Sequence, residues 1–235
     1  MRKVSKAQLI IFIPHPLITS SFVIIAEFLS NKKLYYFLTF WQLWANTLYI
    51  FMITLCDCVL FFFNTPCLEK VNSFFRNIFS RYCFTFSYAV AFLYWSLLSL
   101  GPSFLHARPG LLPYVFHLYC HGGNTLILLL DFYMNEYKNL PYSFTEMFII
   151  SVIFWFYGIV VCYAKYYDGI NPYAFMEKAE IRQLIVAGIM FYIIVLNSYQ
   201  VHLLLLRKKA NSKERSKEET KMIEREQKVT SSSVV

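Results

Sequence analysis

The chain has 235 residues, of which 57% are hydrophobic, 20% aromatic and only 15% charged, with a net charge of +8. An ordinary soluble domain is roughly 45–50% apolar and about 25% charged, so this chain lacks the residues for a polar shell. That excludes a soluble globular enzyme, a secreted disulfide scaffold and a nucleic-acid-binding domain. From Arg207 onward there are 9 basic and 5 acidic residues, and the 206 positions before it hold 13 basic and 9 acidic. A body so poor in charge is read as membrane-embedded.

A spanning helix needs roughly 20 mostly apolar residues. Six stretches meet this, at about 7–28, 34–63, 83–101, 112–133, 144–166 and 182–206. The expected fold is all-α, a polytopic membrane protein of about six transmembrane helices. Residues 1–206 form the membrane domain, and 207–235 form a charged, largely disordered tail that continues the sixth helix for a few turns. Arg2, Lys3 and Lys6 precede the first span, which contains Pro14 and Pro16 and reads as a signal anchor rather than a cleaved signal. The connections carry the breakers and charges: Asn31-Lys32-Lys33, the stretch 64–81, the stretch 101–110 with Arg108, the stretch 135–142 with Lys138, and the stretch 168–180 with Lys178. Lysine and arginine counts beside the spans place both termini in the cytosol. The organelle stays open between endoplasmic reticulum and plasma membrane.

The six cysteines (Cys56, Cys58, Cys67, Cys83, Cys120 and Cys162) lie in or beside apolar runs without a zinc-type spacing. They read as small apolar residues, and no metal or organic cofactor is implied.

Polar groups inside a span are costly and normally face the bundle interior, so they mark candidate sites. The second helix carries Thr39, Gln42, Asn46 and Asp57, whose spacings put them on one stripe. Asp57 is roughly 27 Å from Thr39 along the axis at 1.5 Å per residue, near the other end of the span. The fourth helix carries His117, His121, Asn124 and Asp131 on a second stripe, with Gly122 and Gly123 beside it. A hydroxyl and an imidazole on two helices can form a nucleophile–base pair, or they can line a path for protons or solute. The alternative to an enzyme is a non-enzymatic membrane carrier or scaffold with a polar cavity.

Three blocks resemble the androgen-induced gene / androgen-dependent TFPI-regulating family of multipass membrane threonine hydrolases. The first is Tyr36-Phe37-Leu38-Thr39-Phe40, followed by Asn46 and then Asp57. The second is His121-Gly122-Gly123-Asn124-Thr125, with Asp131 ten positions after His121. The third is Gly169-Ile170-Asn171-Pro172-Tyr173-Ala174-Phe175-Met176-Glu177. The resemblance implies hydrolysis of fatty acid esters of hydroxy fatty acids, with Thr39 as nucleophile. One alignment puts Asn124 where the family has its catalytic histidine. The other makes His121 the base and Asp131 its acidic companion, with His117 one turn before. An amide is no base at neutral pH, whereas an imidazole with a pKa near 6.5 is, so the second is preferred. His117 or Asn124 would orient the base, and Asn46 or Gln42 would donate to the developing oxyanion. The implied partners are a lipid ester within the bilayer and the membrane lipids themselves, with no nucleic acid and an open oligomeric state.

Overall fold

The computed structural model describes residues 12–29, 37–63, 65–101, 111–135, 143–177 and 179–232. Arg2, Lys3, Lys6, Lys32, Lys33, Tyr36, Arg108, Lys138 and Lys178 lie outside the described residues. The described residues form six helices and no strand.

Helix α1 is Pro14–Leu29. The chain bends at Ile13 just before it, and Pro14 and Pro16 remove two backbone donors from its start. Helix α2 is Leu38–Phe62. Trp44, Leu48, Phe51 and Leu55 lie exposed along one side, while Gln42, Asn46, Tyr49, Ile53 and Asp57 are buried on the other. This is the pattern of a helix whose outer face meets lipid and whose inner face holds the polar groups.

Helix α3 runs Pro66–Leu100, and it corrects the sequence reading. The stretch 64–81 was expected to be a connection, because Lys70, Arg76 and Arg81 interrupt the hydropathy. Instead Pro66 starts a helix, where its missing N–H costs nothing. The helix passes through a π turn at Phe75–Phe79 and continues as Ser80–Leu100. Arg76 and Arg81 are almost wholly buried because each has an acidic partner that a hydropathy reading cannot see. Arg76 lies 2.6 Å from Asp57 and 2.5 Å from Asp131, and Arg81 lies 2.8 Å from Glu146.

Helix α4 spans 111–134 as Leu111–Leu118, a π turn Tyr119–Gly123 and Asn124–Met134. Helix α5 is Phe144–Tyr166, capped by the Ser143 hydroxyl on the Glu146 N–H. Its end turns through Gly169 at φ +64°, the left-handed conformation that glycine adopts without strain. Helix α6 is Ile181–Ser232. It continues beyond Leu206 through the charged tail. Its buried residues Val195, Tyr199, Leu203 and Leu206 join the main core with Phe84 and Val90 of α3 and Phe132 of α4, and buried His202 stacks on Phe84.

Helices α2, α3, α5 and α6 are each long and apolar enough to cross a membrane. The described part of α1 has 16 residues. The whole is an all-helical polytopic membrane protein. All six cysteines are free.

Candidate active site

Thr39 lies in the first turn of α2, where backbone N–H groups lack intrahelical partners. Phe37 at the cap position offers no side-chain acceptor. Two remote tyrosines supply it instead. The Leu38 N–H donates to the Tyr157 hydroxyl at 2.9 Å and to the Tyr173 hydroxyl at 3.4 Å, and the two phenols bond each other at 2.7 Å. Phe37 packs edge-on against Tyr173. Burial raises the Tyr173 phenol above its ordinary range, so it stays neutral. The loop that carries Tyr173 is pinned by Lys165, which donates to the carbonyls of Met176 at 2.6 Å and Ala179 at 2.9 Å. Thus the first and third sequence blocks, 134 positions apart from Thr39 to Tyr173, meet beside Thr39. Thr39 itself is half-buried.

Below Thr39, Gln42 and Asn46 of α2 both donate to the Ser87 hydroxyl of α3, at 2.9 and 2.7 Å. The Thr125 hydroxyl of α4 donates to the Ser87 carbonyl at 3.4 Å. Ser87 is the hub the sequence reading missed, although a buried serine in an apolar run was a signal of the same kind. The amide oxygens of Gln42 and Asn46 are buried without a hydrogen-bond partner. Thr47 closes locally on the Leu43 carbonyl at 2.8 Å, the ordinary behaviour of a hydroxyl within a helix.

His121 sits in the π turn of α4, and such turns recur at functional sites. Its ring lies flat on Tyr94 of α3, with centroids 3.6 Å apart and planes 5° apart. His117 stacks parallel on the same group at 5.8 Å from His121, and Trp95 Nε1 donates to the His121 carbonyl at 3.2 Å. The Nδ1 atoms of His117 and His121 are both buried without a partner. A turn closed by i→i+5 bonds holds one more residue than an α turn. His121 and Asn124 are therefore rotated further apart than α spacing predicts. His121 faces Tyr94, whereas Asn124 faces His15 of α1. The single stripe expected on this helix is split.

Asp57 and Asp131 belong elsewhere. Both accept from Arg76, and Asn72 donates to Asp57 at 2.6 Å. Tyr49 and Asn135 donate to Asp131 at 2.6 and 2.5 Å. The Lys209 ammonium of α6 closes this end of α4 by bonding the carbonyls of Phe132 and Asn135. Asp131 is ten residues, about 15 Å, beyond His121 at helical rise, so it holds the bundle rather than the imidazole.

These bonds fix the register of the antiparallel pair α2 and α3, with Asp57 opposite Arg76 and Asn46 opposite Ser87. Thr39 and Tyr94 each lie seven residues from the Asn46–Ser87 bond in the same direction, about 10 Å. Thr39 therefore shares a depth with Tyr94 and with the imidazole stacked on it. Among the described residues no group of histidine, cysteine and acidic side chains is arranged to hold a metal ion.

No curated protein and no solved structure matches the chain. A family model described as FAR-17a/AIG1-like protein matches residues 7–206, which include Thr39, His121 and the whole helical bundle up to Leu206. The chain belongs to the FAR-17a/AIG1-like family, the androgen-induced gene 1 family.

Proposed function

We propose that the protein is an intramembrane ester hydrolase with Thr39 as nucleophile and His121 as base. The observation that carries this reading is the shared depth of Thr39 and the Tyr94–His121 stack, set by the Asn46–Ser87 bond. A buried imidazole nitrogen without a protein partner on a widened helical turn suits a group that must exchange a proton.

In this reaction His121 takes the Thr39 hydroxyl proton as Oγ attacks an ester carbonyl. The carbonyl–alkoxy bond breaks, the alcohol leaves with that proton, and an acyl-threonine remains. Water then attacks the acyl carbon, gives its proton to His121, and releases the acid while Thr39 recovers its hydrogen. In the first turn of α2 the Leu38 N–H is held by the two tyrosines and those of Phe40 and Trp41 by the Phe37 carbonyl, so the oxyanion donor there is the Thr39 N–H, at the positive end of the helix dipole. The Gln42 amide, one turn from Thr39, keeps a second hydrogen after bonding Ser87, whereas Asn46 lies about 10 Å from Thr39 at helical rise. No metal or organic cofactor enters.

The substrate is a lipid ester with two long chains, of the class of fatty acid esters of hydroxy fatty acids. A bilayer site favours such a molecule because each CH₂ is worth roughly 0.8 kcal/mol in apolar surroundings. Both termini face the cytosol in this reading, which puts Thr39 toward the opposite face.

The test is labelling of the purified protein by a fluorophosphonate activity probe. Thr39→Ala and His121→Ala each abolish it. Labelling that persists in both variants overturns the dyad. Labelling lost in Thr39→Ala but raised in Asn124→His assigns the base to position 124.

A further inference from the structure

A second polar site lies between α1 and α4. His15 is 2% exposed and Asn124 is fully buried. The two side chains are neighbours, and both ring nitrogens of His15 and both amide atoms of Asn124 are without a bond of ordinary hydrogen-bond geometry. The Thr19 hydroxyl, one turn beyond His15, bonds the His15 carbonyl at 2.9 Å and also the Tyr119 phenol. That bond clamps α1 against the π turn and holds His15 facing Asn124. Ser87 places the site in depth, because Thr125, the neighbour of Asn124, bonds its carbonyl.

Four buried hydrogen-bonding atoms in hydrocarbon surroundings are each costly if left unmatched. Two arginines elsewhere in the bundle are matched by carboxylates. Here the set is an imidazole and an amide, with no lysine or arginine bonded to either among the described residues. A permanently charged group such as a phosphate finds no counter-ion. A carboxyl group matches this donor and acceptor set. Its O–H donates to an imidazole nitrogen while its carbonyl accepts from the Asn124 NH₂, and the shared proton keeps the pair neutral overall.

We propose that His15 and Asn124 form a binding site for the carboxyl group of a long-chain fatty acid. Its role rests on the hydrolase reading, in which a substrate of ester and free acid presents its acid end here while the ester lies at Thr39. Asn46, level with this site, is about 10 Å from Thr39 at helical rise, which is the span of an extended chain of several carbons. Binding is independent of catalysis and is tested without it.

The experiment measures [³H]oleic acid binding to the purified full-length protein in detergent, with oleic acid and methyl oleate as competitors. Oleic acid competes and methyl oleate does not. His15→Leu and Asn124→Leu each weaken binding at least tenfold, while His15→Gln, which keeps a hydrogen-bonding side chain, loses less. His202→Leu serves as control, since His202 is an equally buried imidazole with both nitrogens unpartnered, and it binds like the wild type. Thermal unfolding checks that each variant is folded; if His15→Leu is not, His15→Gln and Asn124→Leu decide. Undiminished binding in the folded variants overturns the proposal. So does competition by methyl oleate, or no saturable binding by the wild type, which leaves the pair to ordered water. Binding without probe labelling keeps this site and removes the hydrolase; labelling with unchanged binding in the variants removes this site alone.

Discussion

The imidazole of His121 lies on the ring of Tyr94 with centroids 3.6 Å apart and planes 5° apart. The stack fixes the plane of the ring. Tyr94→Leu should therefore slow probe labelling about tenfold, a fraction of the roughly 10²–10⁴ that a positioned base contributes. Tyr94→Phe keeps the aromatic face and should label at nearly the wild-type rate. Equal rates in Tyr94→Leu and wild type would show that the stack does not orient the base.

Arg76 sits between two buried carboxylates, with side-chain exposure of 3% against 3% for Asp57 and 0% for Asp131. Arg76→Leu leaves both acids unpaired in the interior, at a cost of about 3–5 kcal/mol. Chemical denaturation in detergent should record that loss. The triple variant with Asp57→Asn and Asp131→Asn should recover most of it, because no uncompensated charge then remains.

Ser87→Ala removes the acceptor of both Gln42 and Asn46. Two amides are left buried without their partner, and the expected loss is about 1–3 kcal/mol. Hydrogen exchange should rise along the contact of α2 with α3. An unchanged unfolding midpoint would mean that the two amides satisfy each other.

The two glycines of the π turn differ. A Cβ at Gly122 meets only the edge of Trp95 at 3.9 Å, an ordinary contact, whereas one at Gly123 meets Tyr119 at 3.2 Å. Gly122→Ala should be neutral within about 0.5 kcal/mol. Gly123→Ala must displace the Tyr119 ring and strain its bond to Thr19, costing roughly 1 kcal/mol or more. Parallel thermal unfolding of the two variants measures the difference.

Removing the Lys209 ammonium uncovers the carbonyls of Phe132 and Asn135 at the end of α4. Lys209→Ala should cost about 1 kcal/mol, the worth of a cation at a helix C-terminus. Increased hydrogen exchange confined to the last turn of α4 is the local signature.

Some of this was legible from residues alone. The charge deficit assigned the chain to lipid, because no soluble fold could cover so much apolar surface. The length of the apolar runs set the helices, and the cost of polar groups in hydrocarbon sent Gln42, Asn46, His121 and Asn124 to the interior, where all four are buried. Partners were another matter. Hydropathy read Arg76 and Arg81 as loop residues, since a charge looks the same whether it meets water or a carboxylate. Helical spacing put His121, Asn124 and Asp131 on one stripe, since a π turn leaves no mark in composition. That Tyr173 would hold the Leu38 N–H beside Thr39, or that His15 would face Asn124, follows from how helices distant in the chain pack. Transfer energies are properties of single residues and can be read along a sequence; pairing depends on distance and direction between residues far apart in it, which the packed bundle alone decides.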